Sequence, residues 1–179
     1  TSTTDSSNVA VVIDTSVPTL SSVSISSNNA DRSKATPTDV VTLSFTASET
    51  IQSPTVTASS GGAAVNGNIT VSNTSGNNWT ASFTANANDT AGPVTYRIAF
   101  SDTAGNAGTP VTSTTDSSNV AVVIDTDLPT LLSSTPSDGS RAVKLDQDII
   151  LKFSEEITAG SGQIKLFDVD DLLVEAFTV

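Results

Sequence analysis

The sequence has no cysteine, no histidine and no methionine, and only one tryptophan and one tyrosine. Basic residues are scarce as well, 7 against 19 acidic ones, for a net charge of -12. Without histidine and cysteine, the commonest general base and the thiol nucleophile are missing. Serine is abundant, but no partner to activate it is visible. A carboxylate pair can hydrolyse glycosides, yet the acids here fall in linkers and turns rather than around a pocket. The chain therefore reads as a non-enzyme. The shortage of Lys and Arg excludes nucleic acid, whose phosphates need cations to displace their counterions. It equally excludes an anionic membrane surface. The balance suits a surface that repels copies of itself and attracts cations. No apolar run approaches the roughly 18 residues of a membrane span, so no membrane insertion is expected in this segment. The first residues lack the charged start and apolar core of a leader. Thr1 reads as the middle of something, and the chain as a fragment of a longer protein. Absence of cysteine alone fits a cytosolic protein or an exported one stabilised without disulfides.

What is present, first of all, is a repeat. TSTTDSSNVAVVIDT fills Thr1 to Thr15 and returns letter for letter at Thr112 to Thr126. The spacing is too long for a solenoid repeat of roughly 20–50 residues and matches a domain of roughly 100–150 residues. Similarity continues beyond the block, because Ser16-Val17-Pro18-Thr19-Leu20 answers Asp127-Leu128-Pro129-Thr130-Leu131. A modular reading follows. Residues 1–15 are the end of one module and its linker, 16–126 a complete module, and 127–179 the first part of another.

Inside the complete module the hydrophobic period is two. Val41, Leu43, Phe45 and Ala47 alternate with polar residues, as do Trp79, Ala81, Phe83 and Ala85, and again Val94, Tyr96, Ile98 and Phe100. Strict alternation turns one face to a core and the other to water. Val23 with Ile25, Val56 with Ala58, Ile69 with Val71, and Val120 to Ile124 supply shorter strands. Clusters of Gly, Asn, Ser and Pro punctuate the gaps, and no stretch keeps a helical period. About seven short strands in one domain predict an all-β fold, an antiparallel sandwich of immunoglobulin (Ig) type. Trp79 reads as core packing rather than a sugar platform. The second module repeats the pattern at Ile149, Leu151 and Phe153, and at Ile164 and Leu166. Half a sandwich cannot close a core, so 127–179 is expected to be poorly stable alone. The run Asp168 to Asp171 lacks the Gly and spaced Glu of an EF-hand loop and predicts a hairpin turn.

The heavy use of Ser, Thr, Asn and Gly resembles that of secreted bacterial surface proteins. The run FSDTAGNAGTP (Phe100 to Pro110), followed by VVIDT and a proline, resembles the tandem bacterial Ig-like repeats of large surface adhesins and biofilm-associated proteins. The text from Pro129 to Asp168 resembles a second kind, the Ig-like domain named after the S-layer protein SbsA. The resemblance implies an extracellular, repetitive stalk on the bacterial cell surface, often stiffened by calcium between modules. One departure is the long stretch from Ala107 to Asn119, which implies a broken or bulged last strand.

In an Ig-type sandwich the B–C and F–G loops lie at the end where the chain enters. Glu49 falls in the first, Asp102 in the second, and Asp14 in the entering linker. Three carboxylates distant in sequence are thus expected to converge, and Ca2+, which takes six to eight oxygen ligands, would remove their repulsion. Each also has a plainer reading: Asp102 as an Asx turn with Gly105 and Asn106 in left-handed positions, Glu49 as a solvated loop acid, Asp14 as a cap on a linker amide. Asn106 reads as a turn residue rather than a ligand. Asp125 and Glu155 repeat the arrangement in part, with the matching F–G loop expected beyond Val179. The expected partners are neighbouring Ig-like modules of the same chain. The leading function is a structural extender that holds a distal adhesive domain away from the cell. Its rivals are a module that itself binds a polysaccharide or host protein, an accessory domain of a secreted hydrolase, and an S-layer component.

Overall fold

The computed structural model describes residues 13–116, 121–141, 143–144, 146–168 and 170–178. The chain divides into two compact units, Thr1–Thr126 and Asp127–Val179. All regular structure among the described residues is β.

Among its described residues the first unit holds nine strands: β1 (Leu20–Ser27), β2 (Lys34–Ala35), β3 (Val40–Ala47), β4 (Thr55–Ser60), β5 (Ala63–Ala64), β6 (Thr70–Ser75), β7 (Asn78–Thr84), β8 (Gly92–Ala99) and β9 (Val123–Ile124). They form two sheets, in the orders β1-β3-β7-β6 and β2-β9-β8-β4-β5. Every pairing is antiparallel except that of β2 with β9. This is the strand arrangement of an Ig-type sandwich, with a first strand that divides its length between the sheets. The period-two pattern explains the layering. Val41, Leu43, Phe45 and Ala47 of β3 are all buried, and Val94, Tyr96 and Ile98 of β8 meet them from the other sheet in one core. Their polar neighbours stay at the surface, because successive side chains of a strand point to opposite faces. Trp79 is half-buried and packs against the same core.

The stretch after β8 is interrupted, as its length implies. Asp102 to Asn106 form a turn closed by pairing of Ser101 with Ala107, and Val111 then pairs with Ile98. Thr115 crosses to the other sheet, where its N–H donates to the carbonyl of Val23 at 2.9 Å. The chain returns to pair β9 with Gly92 and Pro93. Val120, expected to open the last strand, lies outside the described residues, as do residues 1–12. Gly108 is pressed onto the ring of Phe100, where a β-carbon would collide with it.

The described residues of the second unit form two hairpins, β10 (Leu131–Thr135) with β11 (Ile150–Phe153), and β12 (Gln163–Phe167) with β13 (Leu173–Thr178). The acidic run is the turn of the latter. Asp168 Oδ1 accepts from the N–H groups of Asp170 and Leu172, both at 2.9 Å. Many of the described apolar residues here stay open to solvent, with Leu131 at 55% exposure and Ile150 at 58%, while Leu151, Phe153 and Leu166 are half-buried. Among the described residues the buried core belongs to the first unit.

Two substitutions in β8 separate core from surface. Ile98 is fully buried, and Ile98→Ala should lower unfolding free energy by about 2–5 kcal/mol through lost burial and a residual cavity. Thr95, exposed on the same strand, should tolerate serine with a change within about 0.5 kcal/mol. Urea unfolding followed by tryptophan fluorescence measures both.

Candidate metal centre

Three segments meet at one end of the first unit, and backbone bonds hold each of them. The entering chain is pinned to the loop after β3, since the Thr19 N–H donates to Ser48 Oγ at 3.0 Å and the Ser48 N–H donates to the Thr19 carbonyl at 2.9 Å. That loop is in turn joined to the turn after β8. Ile51 pairs with Asp102, the Gln52 N–H donates to the Ser101 carbonyl at 2.9 Å, and the Gln52 side-chain amide donates to the Asp102 carbonyl at 3.0 Å. The residues in question sit beside these fasteners. Asp14 precedes the first, Glu49 follows Ser48, and Asp102 lies within the second.

The carboxylates come together accordingly. One oxygen from each of Asp14, Glu49 and Asp102 lies within 4.8 Å of the others. Asp14 is exposed, Glu49 half-buried and Asp102 buried. Two oxygens bound to one calcium, each about 2.3–2.6 Å from it, stand at most about 5 Å apart. The spacing is therefore compatible with a shared hard cation. With no histidine or cysteine in the chain, the donor set is all oxygen, which suits calcium or magnesium rather than zinc or copper.

Asp102 is also a turn residue. Its Oδ1 accepts from the N–H groups of Gly105 and Asn106, both at 2.7 Å, and its Oδ2 accepts from the Asn106 side-chain amide at 2.8 Å. Gly105 has φ 100°, a left-handed conformation that glycine adopts without strain. Burial alone would push the Asp102 carboxyl toward the neutral form. The Asn106 side chain and the N–H groups of Asn106, Gly105 and Ala104 outweigh burial and hold its pKa below the ordinary value. The donors are neutral amides, which orient the charge without cancelling it. Asn106 reaches further than a turn residue needs to. The same side-chain amide donates to the Asp14 carbonyl at 3.1 Å, tying the turn to the entering chain. Asp14 itself accepts from the Ser16 N–H at 2.9 Å, the linker cap anticipated for it.

Asp125 and Glu155 do not join a group of three acidic side chains among the described residues. Asp125 belongs to the first unit, where its N–H donates to the Ala35 carbonyl at 2.8 Å. Glu155 lies in the second unit, and its surroundings repeat those of Glu49. The Thr130 N–H donates to Ser154 Oγ at 2.9 Å, and the Ser154 N–H donates to the Thr130 carbonyl at 2.8 Å. Each unit thus clamps its entering Pro-Thr to a Ser that directly precedes a Glu. The signal was in the sequence, as Ser-Glu in both ASETI and FSEEI, but only the structure gives it meaning. Residues 125–173 match the bacterial Ig-like domain. The matched stretch runs through β10, β11 and β12 to the first residue of β13. Bacterial Ig-like domains occur in extracellular surface proteins. No curated protein and no solved structure matches the chain.

Two further acids, Asp39 and Asp89, were not singled out by their sequence context. Asp89 is buried and accepts from the N–H groups of Asn66 at 2.7 Å and Asn86 at 2.8 Å. Its burial opposes ionisation, but these bonds prevail and its pKa is lowered. Asp39 is lowered by the Asn29 side-chain amide first and then by the Thr36 N–H. Both fasten loops and lie outside the acidic cluster.

The pH dependence follows from these directions. A carboxylate with a lowered folded pKa stabilises the fold above its unfolded value, and that contribution disappears as pH falls through the folded value. The ordinary value is 3.8 for Asp39, Asp89 and Asp102. Through these groups, stability should hold from neutral pH to about pH 4 and fall below it. Urea midpoints between pH 7 and pH 2 check this. Asp89→Ala, which leaves the part-buried N–H groups of Asn66 and Asn86 without their carboxylate acceptor, should cost about 1–3 kcal/mol at pH 7 and flatten the acid limb.

Proposed function

We propose that this chain is an extender segment of a bacterial cell-surface or secreted adhesin, built from tandem Ig-like modules whose junctions are stiffened by calcium. The observation that carries the reading is the approach of Asp14, Glu49 and Asp102 to within 4.8 Å of one another at the point where the chain enters the first unit. Asp14 belongs to the repeated linker text, whereas Glu49 and Asp102 belong to the body of the module. A cation shared by the three ties linker to module at several points, and the joint loses freedom to bend. The clamp that recurs as Thr19–Ser48 and Thr130–Ser154 supports one junction design used twice. On this reading residues 1–15 close a preceding module, 16–126 are one whole module, and 127–179 begin an SbsA-type module with Asp125 and Glu155 in the corresponding junction.

The mechanism is mechanical and needs no substrate pocket. The first unit's Phe45, Phe83, Tyr96 and Phe100 are all buried, which leaves little aromatic surface there for stacking sugars. The match of residues 125–173 to a bacterial Ig-like domain supports the same non-catalytic role outside the cell.

Thermal unfolding of the chain in calcium and in chelator tests the cation. A ligand that binds only the folded state adds about 2.7 kcal/mol at a hundredfold excess over its Kd. Calcium should raise Tm of the parent, and Glu49→Gln should remove most of the rise while leaving Tm in chelator nearly unchanged. Coincident parent curves in calcium and chelator would reduce the three carboxylates to fasteners.

A further inference from the structure

Asn66 is the one asparagine of the chain that a glycine follows. Such a pair is chemically labile. A glycine nitrogen, unhindered by a side chain of its own residue, can attack the asparagine side-chain carbonyl and close a cyclic imide. The structure nevertheless needs both residues. Asn66 joins the stretch between β5 and β6 to the loop between β7 and β8. Its N–H donates to Asp89 Oδ1 at 2.7 Å, and its side-chain amide donates to the same oxygen and to the Asn88 carbonyl, both at 2.9 Å. Gly67 lies against the end of β7, where a β-carbon would stand 2.5 Å from the Thr84 carbonyl oxygen. Asparagine is required for its two amide hydrogens, and glycine for the close approach.

The same contacts hold the reaction off. To be attacked, Asn66 Cγ must turn back onto the Gly67 nitrogen, whereas the fold commits the side chain to Asn88 and Asp89. The attack also builds negative charge on the reacting atoms, next to a buried carboxylate that opposes it. Asn66 itself is exposed, so water has access to it.

We propose that Asn66 and Gly67 form a self-modification site, silent while Asn66 is bound to Asp89 and active when the stretch between β5 and β6 opens. Local openings of this kind cost less than global unfolding. In the open state the Gly67 nitrogen loses its proton to solvent and bonds to Asn66 Cγ. The Cγ–Nδ2 bond breaks, and ammonia leaves. Water then opens the imide at either carbonyl, and residue 66 becomes an aspartate or an isoaspartate. One water is taken up and one ammonia released. The change is one-way for the fold as well. A carboxylate has no N–H to donate, so both side-chain bonds are lost and a second negative charge faces Asp89. An isoaspartate also adds a methylene to the main chain, which lifts Gly67 away from Thr84. The loop thereby keeps a record of having opened. Neither a cation nor the junction at Asp14 takes part.

The full chain is incubated at mildly alkaline pH, folded and in urea, then digested. Residue 66 is followed by peptide mass, and isoaspartate is counted by enzymatic methylation. The unfolded chain should convert Asn66 ahead of every other asparagine. The folded chain should convert it at least about tenfold more slowly, the factor given by about 1.4 kcal/mol of opening free energy. Asp89→Ala should raise the folded rate toward the unfolded one. Ile98→Ala, which weakens the core and leaves the Asn66 bonds intact, should not. Tryptophan fluorescence under the incubation conditions checks that both variants are folded. Should either fail to fold, Asn66→Asp keeps the test open, because it installs the aspartate product and should lower the urea midpoint. Equal rates in the folded and unfolded parent, equal acceleration by the two folded variants, or an unchanged midpoint for Asn66→Asp overturns the proposal.

Discussion

The reciprocal bonds between Thr19 and Ser48 determine what the acidic end of the first unit can be. They convert the entering chain from a tail into a part of the sandwich. Thr19 is held against the loop after β3, the Asn106 side chain holds the Asp14 carbonyl beside the turn after β8, and the Asp14 carboxylate lies near Glu49. The pairing of Ile51 with Asp102 does the same for the third carboxylate. Backbone bonds thus bring together charges that would otherwise separate. A fold that holds like charges in place creates a demand for a counter-ion, and the chain's own cations are few.

At Asp102 the turn role that the structure gives and the ligand role proposed for it are compatible. Its turn bonds come from neutral donors and keep it ionised, which is the state a hard cation requires. Asn106 extends the same network to the carbonyl of Asp14. Organisation of the anionic site therefore precedes any ion. In the extender reading, an ion binding there meets ligands already oriented, and its effect is to remove bending freedom rather than to build structure.

Much of this was legible in the sequence, for physical reasons that differ by element. Strands β3, β7 and β8 announce themselves because each is buried on one face only, which forces alternation. The two-residue strands β2 and β5 are too short to show a period. β10, with the text LLSST, is extended by its pairing with β11 and not by any pattern of its own. In the second unit alternation was readable but burial was not, since burial depends on what faces the strand. The acidic trio could be anticipated because sandwich topology sends the entering linker and two loops to one end. The clamp could not, because a serine hydroxyl meeting a backbone amide leaves no periodic trace. Asp39 and Asp89 were missed for the same reason.

The account stands most directly on whether an ion binds where the entering chain, the loop after β3 and the turn after β8 meet. Amide chemical shifts of the uniformly 15N-labelled chain, recorded through a calcium titration, would locate the response residue by residue. The account predicts saturable shifts concentrated in residues 13–19, 48–52 and 101–107, with the β3 and β8 core amides unmoved. Shifts spread evenly over the acidic surface, or absent from those three segments, would contradict it.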